Sequence, residues 1–230
     1  MLRKSILLTA LAVLLSAAPA FSQDTRFEAG AFFGWTFSDG VDGTGILAGD
    51  GNLYNRLDPK DSIKWGLNFG YLASEQAEVG FQFSQQNSKL TAGGTNTREI
   101  GDMGILNYHG YVAYNFGEAD TKVRPYVLIG AGATHFPSVS IPGSTGSLLC
   151  PPGAGCQTQG NTKFSTTWGT GVKFFTSPKF GIKVGAQWTP TYIKSDSDGY
   201  WCDPWFGCYV VGNAQYSNQI DILGGVVFKF

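Results

Sequence analysis

Eight segments of this sequence alternate apolar residues with small or polar ones at every second position. In SIKWGLNFGYLA, residues 62–73, every odd-numbered residue is apolar, whereas the even-numbered residues include Lys, Asn and two Gly. The other segments begin at residues 27, 77, 106, 123, 164, 180 and 220. A period of two puts successive side chains on opposite faces of a β-strand. Each segment has about the 9 to 11 residues that a tilted strand needs to cross a bilayer.

The two faces of these predicted strands differ sharply in chemistry. One face is aromatic and free of charge, and it carries Trp35, Trp65, Trp168 and Trp188. The other face collects glycine, amides, hydroxyls and nearly all the charges of the strands. Only 14% of the chain is charged, against roughly 25% in a typical soluble domain. A soluble sandwich would bury the aromatic face as its core, but a face this broad and aromatic instead favours contact with lipid.

The connections between the segments alternate in length. The second, fourth and sixth segments are followed by the short stretches SEQ, GEADTK and TSPK, whereas the others are joined by long stretches rich in Gly, Ser, Asn, Asp and Thr. Alternating tight turns and long loops is typical of outer-membrane barrels. The sequence therefore predicts an all-β fold, an eight-stranded antiparallel transmembrane up-and-down β-barrel.

The amino end predicts a leader. Arg3 and Lys4 precede an apolar run, and small residues follow it before Gln23. This pattern indicates a secretory signal peptide over residues 1–22 and a barrel domain over residues 23–230, although a retained anchoring helix is the alternative. The net charge of −1 gives no indication of a nucleic-acid partner.

The leader, the eight amphipathic segments, RPYVLIGAG at residues 124–132 and the terminal Phe230 together resemble the small OmpA/OmpX-type outer-membrane β-barrel proteins. The resemblance covers the whole mature chain. It implies residence in the cell outer membrane, contact with outer-membrane lipid and lipopolysaccharide, and recognition of Phe228 and Phe230 by the barrel-assembly machinery. Because the sequence stops at Phe230, we expect no peptidoglycan-binding domain and no role in cell-wall tethering.

The polar faces of the segments predict a charge network in the barrel lumen. Its members are Glu28, Lys64, Glu78, Arg124, Lys173, Lys183, Asp221 and Lys229. An eight-stranded barrel is just wide enough for side chains to fill it, so we expect ion pairs and amide contacts rather than an open channel. Five cations face three acids, and this imbalance predicts a loop acid, a bound anion or a water near one end.

The four cysteines fall in two long connections, as CPPGAGC and CDPWFGC. In an oxidising compartment we expect two local disulfides, Cys150 with Cys156 and Cys202 with Cys208, and cross-pairing between the two connections stays open. Neither histidine accompanies the cysteines, so we expect no metal site and no cofactor.

The last long connection is the best candidate for recognition of an extracellular ligand whose identity the sequence leaves unknown. Trp201, Trp205, Phe206 and Tyr209 would present rings to a glycan, a lipopolysaccharide headgroup or a protein. The alternative is that these rings pack against one another or against the barrel rim.

No group of residues predicts catalysis. His135 precedes Ser138 by three positions, but no third group is placed to orient the histidine as a base, and His109 is expected inside the barrel. We therefore expect a protein that is not an enzyme and that serves envelope integrity or surface interaction. Two alternatives remain: a narrow channel for small or hydrophobic solutes, as in OmpW-type barrels, and a lipid A-modifying hydrolase.

Overall fold

The computed structural model describes residues 26–47, 53–93, 97–118, 121–141, 156–157, 160–193, 200–203, 207–210 and 215–230. The expected leader at residues 1–22 lies outside these ranges, as do Cys150, Trp205 and Phe206. Among the described residues, no helix is long and apolar enough to cross a membrane.

Fourteen strands occur in the described part of the chain. They are β1 (Phe27–Ser38), β2 (Val41–Leu47), β3 (Leu53–Pro59), β4 (Ser62–Leu72), β5 (Ala77–Gly93), β6 (Arg98–Asn115), β7 (Val123–Phe136), β8 (Ser140–Ile141), β9 (Cys156–Gln157), β10 (Asn161–Phe175), β11 (Phe180–Ile193), β12 (Tyr200–Asp203), β13 (Gly207–Val210) and β14 (Gln215–Lys229).

Eight of these strands form a closed antiparallel barrel in the order β1, β4, β5, β6, β7, β10, β11, β14 and back to β1. The closing pair runs from Glu28 opposite Lys229 to Ser38 opposite Gln219. Beyond that register, the amide of Phe27 donates to the carbonyl of Phe230 at 3.0 Å, and the amide of Phe230 donates back at 2.9 Å. Closure leaves the barrel without a free sheet edge, which confirms the fold predicted from the alternating segments.

The outer surface of the barrel is an apolar belt. Alternate side chains along every barrel strand point outward, and large hydrophobic ones remain exposed, including Phe33 (69%), Leu67 (53%) and Ile222 (60%). Such a continuous apolar surface far exceeds what a protein in water exposes. All four tryptophans that the sequence placed on the lipid face, Trp35, Trp65, Trp168 and Trp188, lie on this belt.

The strands extend further than the sequence predicts at the end that carries the long connections. The connection between the third and fourth segments was expected to be a loop, but β5 continues to Gly93 and β6 begins at Arg98. In the first long connection, β2 and β3 form a hairpin, and β3 pairs with the end of β5. The period-two signal fades here because, beyond the belt, hydrocarbon no longer selects apolar residues at alternate positions.

One arginine fastens the first long connection to the barrel rim. The guanidinium of Arg56 in β3 donates to Asp58 at 2.8 Å and to Asp42 at 2.9 Å, and it also bonds Asp39 next to β1. The hydrogen bond to Asp58 is the largest cause that raises the pKa of Arg56 above its usual value. Below this rim, Met103, Ile105 and Val139 form a small buried apolar cluster.

A charge placed on the belt tests whether hydrocarbon surrounds it. Leu67 lies midway along β4 and faces outward, so Leu67→Arg should lower the free energy of unfolding by about 2 to 4 kcal/mol in lipid vesicles. Ile63→Arg, on the same face near the strand end, should cost about 0 to 1 kcal/mol. Guanidinium titrations of the refolded variants measure both, and equal small costs would contradict a lipid-facing belt.

Candidate functional site

The polar lumen is the most elaborate arrangement of side chains in the described structure. The structure places all eight charged residues that the sequence assigned to the lumen on the inward face of the barrel. Glu28, Lys64, Glu78, Arg124, Lys173, Asp221 and Lys229 are buried, and Lys183 is partly buried. The period of two explains this placement, since each of them alternates with belt residues along its strand.

Lys173 on β10 is the centre of the cluster nearer the short turns. Its ammonium donates to Glu78 Oε2 at 2.7 Å and also to Glu28 Oε2. Glu78 accepts two further hydrogen bonds, from the Tyr111 hydroxyl at 2.7 Å and from the Asn115 amide at 3.3 Å. One lysine therefore links β10 to β1 and β5, which lie in other parts of the barrel wall.

A second cluster lies nearer the long connections. The ammonium of Lys64 donates to Asp221 Oδ2 at 2.8 Å and to Gln219 Oε1 at 2.9 Å. The hydroxyl of Thr36 donates to the other oxygen of Asp221 at 2.6 Å. Asn107 also donates to Gln219 Oε1, at 3.0 Å. The amides extend this pair across the lumen, so the buried carboxylate is well satisfied.

The predicted excess of two cations in the lumen corresponds to two particular residues in the structure. Among the described residues, neither Lys183 nor Arg124 forms an ion pair with a carboxylate. Lys183 donates to Asn68 Oδ1 at 2.6 Å and lies 5.3 Å from the Phe32 ring centroid. Arg124 donates to the backbone carbonyl of Glu75.

Bulky side chains also fill the lumen. Phe32, Leu72, Tyr111, Tyr126 and Leu128 are all buried. The cavity between Glu28, Glu78, Lys173 and Lys183 has a volume of about 10 Å³, which is room for roughly one water molecule.

A histidine and a serine that the sequence did not predict as a pair meet in the lumen. His109 Nε2 lies 2.9 Å from Ser165 Oγ, and Thr134 Oγ1 lies 2.9 Å from the same oxygen. A base beside a hydroxyl is the geometry of an activated nucleophile. Here Ser165 is 0% exposed and His109 is 1% exposed, so a substrate has no access to the hydroxyl. His109 and Ser165 are 56 residues apart in sequence, and only the barrel topology brings these two residues together.

The histidine considered from the sequence has a different partner. His135 Nδ1 bonds Thr162 Oγ1 at 2.8 Å on the neighbouring strand, whereas Ser138 is exposed. The proposed spacing of three residues therefore builds no dyad.

Four of the candidates in the last long connection, Trp201, Cys202, Cys208 and Tyr209, lie on a short hairpin of β12 and β13. Its backbone register puts Cys202 opposite Cys208 and Trp201 opposite Tyr209. Val210 of β13 pairs with Thr44 of β2. Cys156 lies in β9, opposite Ile141, and its predicted partner Cys150 is outside the described residues.

The two terminal aromatic residues belong to the outer belt at the short-turn end. Phe228 is 49% exposed, and its ring centroid lies 5.0 Å from that of Phe180. The ring of Phe230 lies 6.1 Å from those of Phe27 and Phe69. The contacts of Phe230 span the seam between β14 and β1, whereas that of Phe228 joins β14 to β11.

Comparison with known proteins agrees with this geometry. A family model described as an outer membrane protein beta-barrel domain matches residues 8–230. The comparison with curated proteins finds no match.

Solved structures show the same fold at low sequence identity. Neisserial surface protein A (NspA) is 14% identical, with a TM-score of 0.54, and the match covers 89% of this chain and 97% of that one. The outer membrane protein OprG from Pseudomonas aeruginosa is also 14% identical, with a TM-score of 0.55 and coverage of 89% and 96%. The outer membrane protein AlkL is 12% identical, with a TM-score of 0.52 and coverage of 92% and 94%.

Removing the central lysine should destabilise the barrel strongly. Lys173→Gln leaves Glu28 and Glu78 buried without a cation between them, and breaking a buried ion pair from one side costs about 3 to 5 kcal/mol. Lys179→Gln, in the exposed turn after β10, is the matched control and should change stability by less than about 0.5 kcal/mol. Denaturant titrations in lipid vesicles measure both, and equal stabilities would show that Lys173 does not hold the cluster together.

Proposed function

The chain belongs to the outer membrane β-barrel protein family, and we propose that it is a non-enzymatic barrel whose extracellular connections serve envelope integrity or interaction at the cell surface. The protein lies in the cell outer membrane. The observation that carries the proposal is that the lumen and the outer rim of the barrel differ in structure. The lumen is filled by paired and hydrogen-bonded side chains, whereas the extra strands outside the barrel all lie in the long connections.

The sheet that extends the barrel wall beyond the apolar belt supports a binding role for the outer rim. In this family the short turns face the periplasm and the long connections face outward. The strand order β12, β13, β2, β3, β5 joins the first, second and fourth long connections into one sheet that continues the barrel wall. A sheet held in this way presents a defined surface, and preorganised surfaces lose less entropy on binding than free loops.

The partners that we propose follow from this location. The apolar belt contacts outer-membrane lipid, and the outer rim lies at the level of lipopolysaccharide. The strand that ends in Phe228 and Phe230 is recognised by the barrel-assembly machinery, after residues 1–22 have acted as a signal peptide. The rings at positions 201, 205, 206 and 209 are the candidates for contact with an extracellular ligand.

The filled lumen argues against a channel. A solute would have to pass the Lys173 cluster and the Lys64 pair, which are buried and mutually bonded. Opening such a path separates buried charges at a cost of several kcal/mol. Purified protein in planar bilayers should therefore give no steady conductance, and discrete, reproducible conductance steps would favour the channel instead.

Scrambling the sequence of the last long connection tests whether this connection mediates interaction at the cell surface. A variant in which residues 196–213 are scrambled keeps length and composition but loses the specific surface, and it should still show heat-dependent mobility on a detergent gel as a folded barrel. In a strain lacking the protein, the natural chain should restore detergent resistance and surface binding, whereas the scrambled variant should fail to restore surface binding.

Comparing the strains that carry the natural and the scrambled chain separates a role in envelope integrity from a role in surface interaction. Restored resistance with lost binding assigns integrity to the barrel and interaction to the connection. A strain that behaves like its parent in both assays without any copy of the protein would contradict the proposal.

The hairpin register supports local disulfides. Cys202 and Cys208 are directly opposite in the backbone register of β12 and β13. Opposite residues on antiparallel strands have Cα atoms about 4.5 to 5.5 Å apart, which is within the range that a disulfide spans. Mass spectrometry of unreduced, protease-cleaved protein should find Cys202 linked to Cys208 and Cys150 linked to Cys156. Links between the two connections, or alkylation of all four thiols before reduction, would contradict local stapling.

A further inference from the structure

The lumen layer near the periplasm carries more positive than negative charge. We call the residues Glu28, Glu78, Arg124, Lys173, Lys183 and Lys229 the periplasmic layer. In it four cations face two carboxylates. Lys173 occupies both carboxylates, and Lys229 approaches Glu28 at 3.8 Å. The layer therefore carries a formal excess of two positive charges.

The cations of the layer also lie side by side. Arg124 is opposite Lys173 in the register of β7 and β10, and Lys173 is opposite Lys183 in that of β10 and β11. Neighbouring like charges repel more strongly in the low-dielectric interior of a barrel than in water. Arg124 and Lys173 are buried and Lys183 is partly buried, so nearby negative charge favours keeping all three cations charged in this row.

Arg124 has hydrogen-bond donors to offer such a charge. Its side chain crosses the periplasmic end of the lumen from β7 to the turn between β4 and β5, where one nitrogen donates to the carbonyl of Glu75. The residue is 0% exposed, and its Nε and Nη1 have no partner among the described residues. Buried guanidinium donors are ordinarily satisfied, and they favour anions.

We propose that Arg124 binds a small inorganic anion of the halide class, which enters from the periplasm. The residue is buried next to the periplasmic turns, so an ion has to pass between these turns to reach it. The cavity of about 10 Å³ in this layer is lined by Glu28, Glu78, Lys173 and Lys183 and not by Arg124. The packing around Arg124 is therefore tight, and it suits a monatomic ion rather than a lipid phosphate or a peptide carboxylate. The anion offsets one of the two excess positive charges. It also accepts hydrogen bonds from Nε and Nη1 of Arg124.

A buried water is the competing occupant, and it has a different signature. Glu28 Oε1, which lies 3.8 Å from the Lys229 ammonium, and Asn115 Oδ1 have no hydrogen-bond partner among the described residues, and water in this layer would donate to such acceptors. Water satisfies donors and acceptors alike, but it leaves the charge excess unchanged. Occupancy by water does not depend on which anion the salt supplies, whereas occupancy of the proposed anion site does.

Bromide gives the direct test. Crystals of the natural protein grown in sodium bromide should show an anomalous scattering peak within hydrogen-bond distance of Arg124. Arg56→Gln, which removes a cation outside the lumen, should keep that peak, and Arg124→Gln should lose it. No peak beside Arg124 in the natural protein overturns the proposal whether or not the variants fold.

Stability in solution gives an independent readout. At constant ionic strength, replacing bulky gluconate with chloride should raise the denaturant midpoint of the natural protein in a saturable way. Arg124→Gln should weaken the apparent chloride affinity about 10- to 100-fold, as expected for loss of a charged hydrogen-bond donor. A natural protein with the same midpoint in both salts, or an Arg124→Gln variant with an unchanged chloride response, would leave water as the occupant and overturn the proposal.

Discussion

The structure depends on the antiparallel pairing of β1 with β14. In hydrocarbon, an unpaired backbone amide or carbonyl costs several kcal/mol, so a sheet can span a membrane only if it closes on itself. The register from Glu28 opposite Lys229 to Ser38 opposite Gln219 supplies that closure, and the rings of Phe27, Phe69 and Phe230 cover the seam. Every other feature follows, because closure divides the strand faces into a lipid side and an enclosed side.

The enclosed side carries charge because it is shielded from lipid, and the charges connect distant strands. Lys173 ties β10 to Glu28 on β1 and Glu78 on β5, while Lys64 on β4 reaches Asp221 on β14. Since buried ion pairs are weak sources of net stability, we expect their larger effect here to be on specificity. A strand shifted by one residue would turn a charge into the lipid, so the pairs favour a single register.

The sequence predicted the parts of the molecule that hydrocarbon constrains. Inside the belt, alternation identified all eight strands and placed Glu78 and Lys173 in the lumen. Outside it the prediction failed: β5 and β6 continue where a loop was expected, because residues there face water on one side and no longer alternate. Pairings across the lumen were also beyond prediction. His109 meets Ser165, and Lys183 meets Asn68, through side-chain reach across a closed barrel, which has no local sequence signal.

The most direct test of the central claim is a spin-label scan of residues 63–71 on β4 in lipid vesicles. If hydrocarbon surrounds the belt and the charges are enclosed, labels at the odd-numbered positions should be accessible to oxygen and protected from a water-soluble nickel complex. Labels at the even-numbered positions should be immobile and protected from both reagents. Alternation in the opposite phase, or nickel accessibility at residues 65–69, would contradict a closed barrel with its apolar face in lipid.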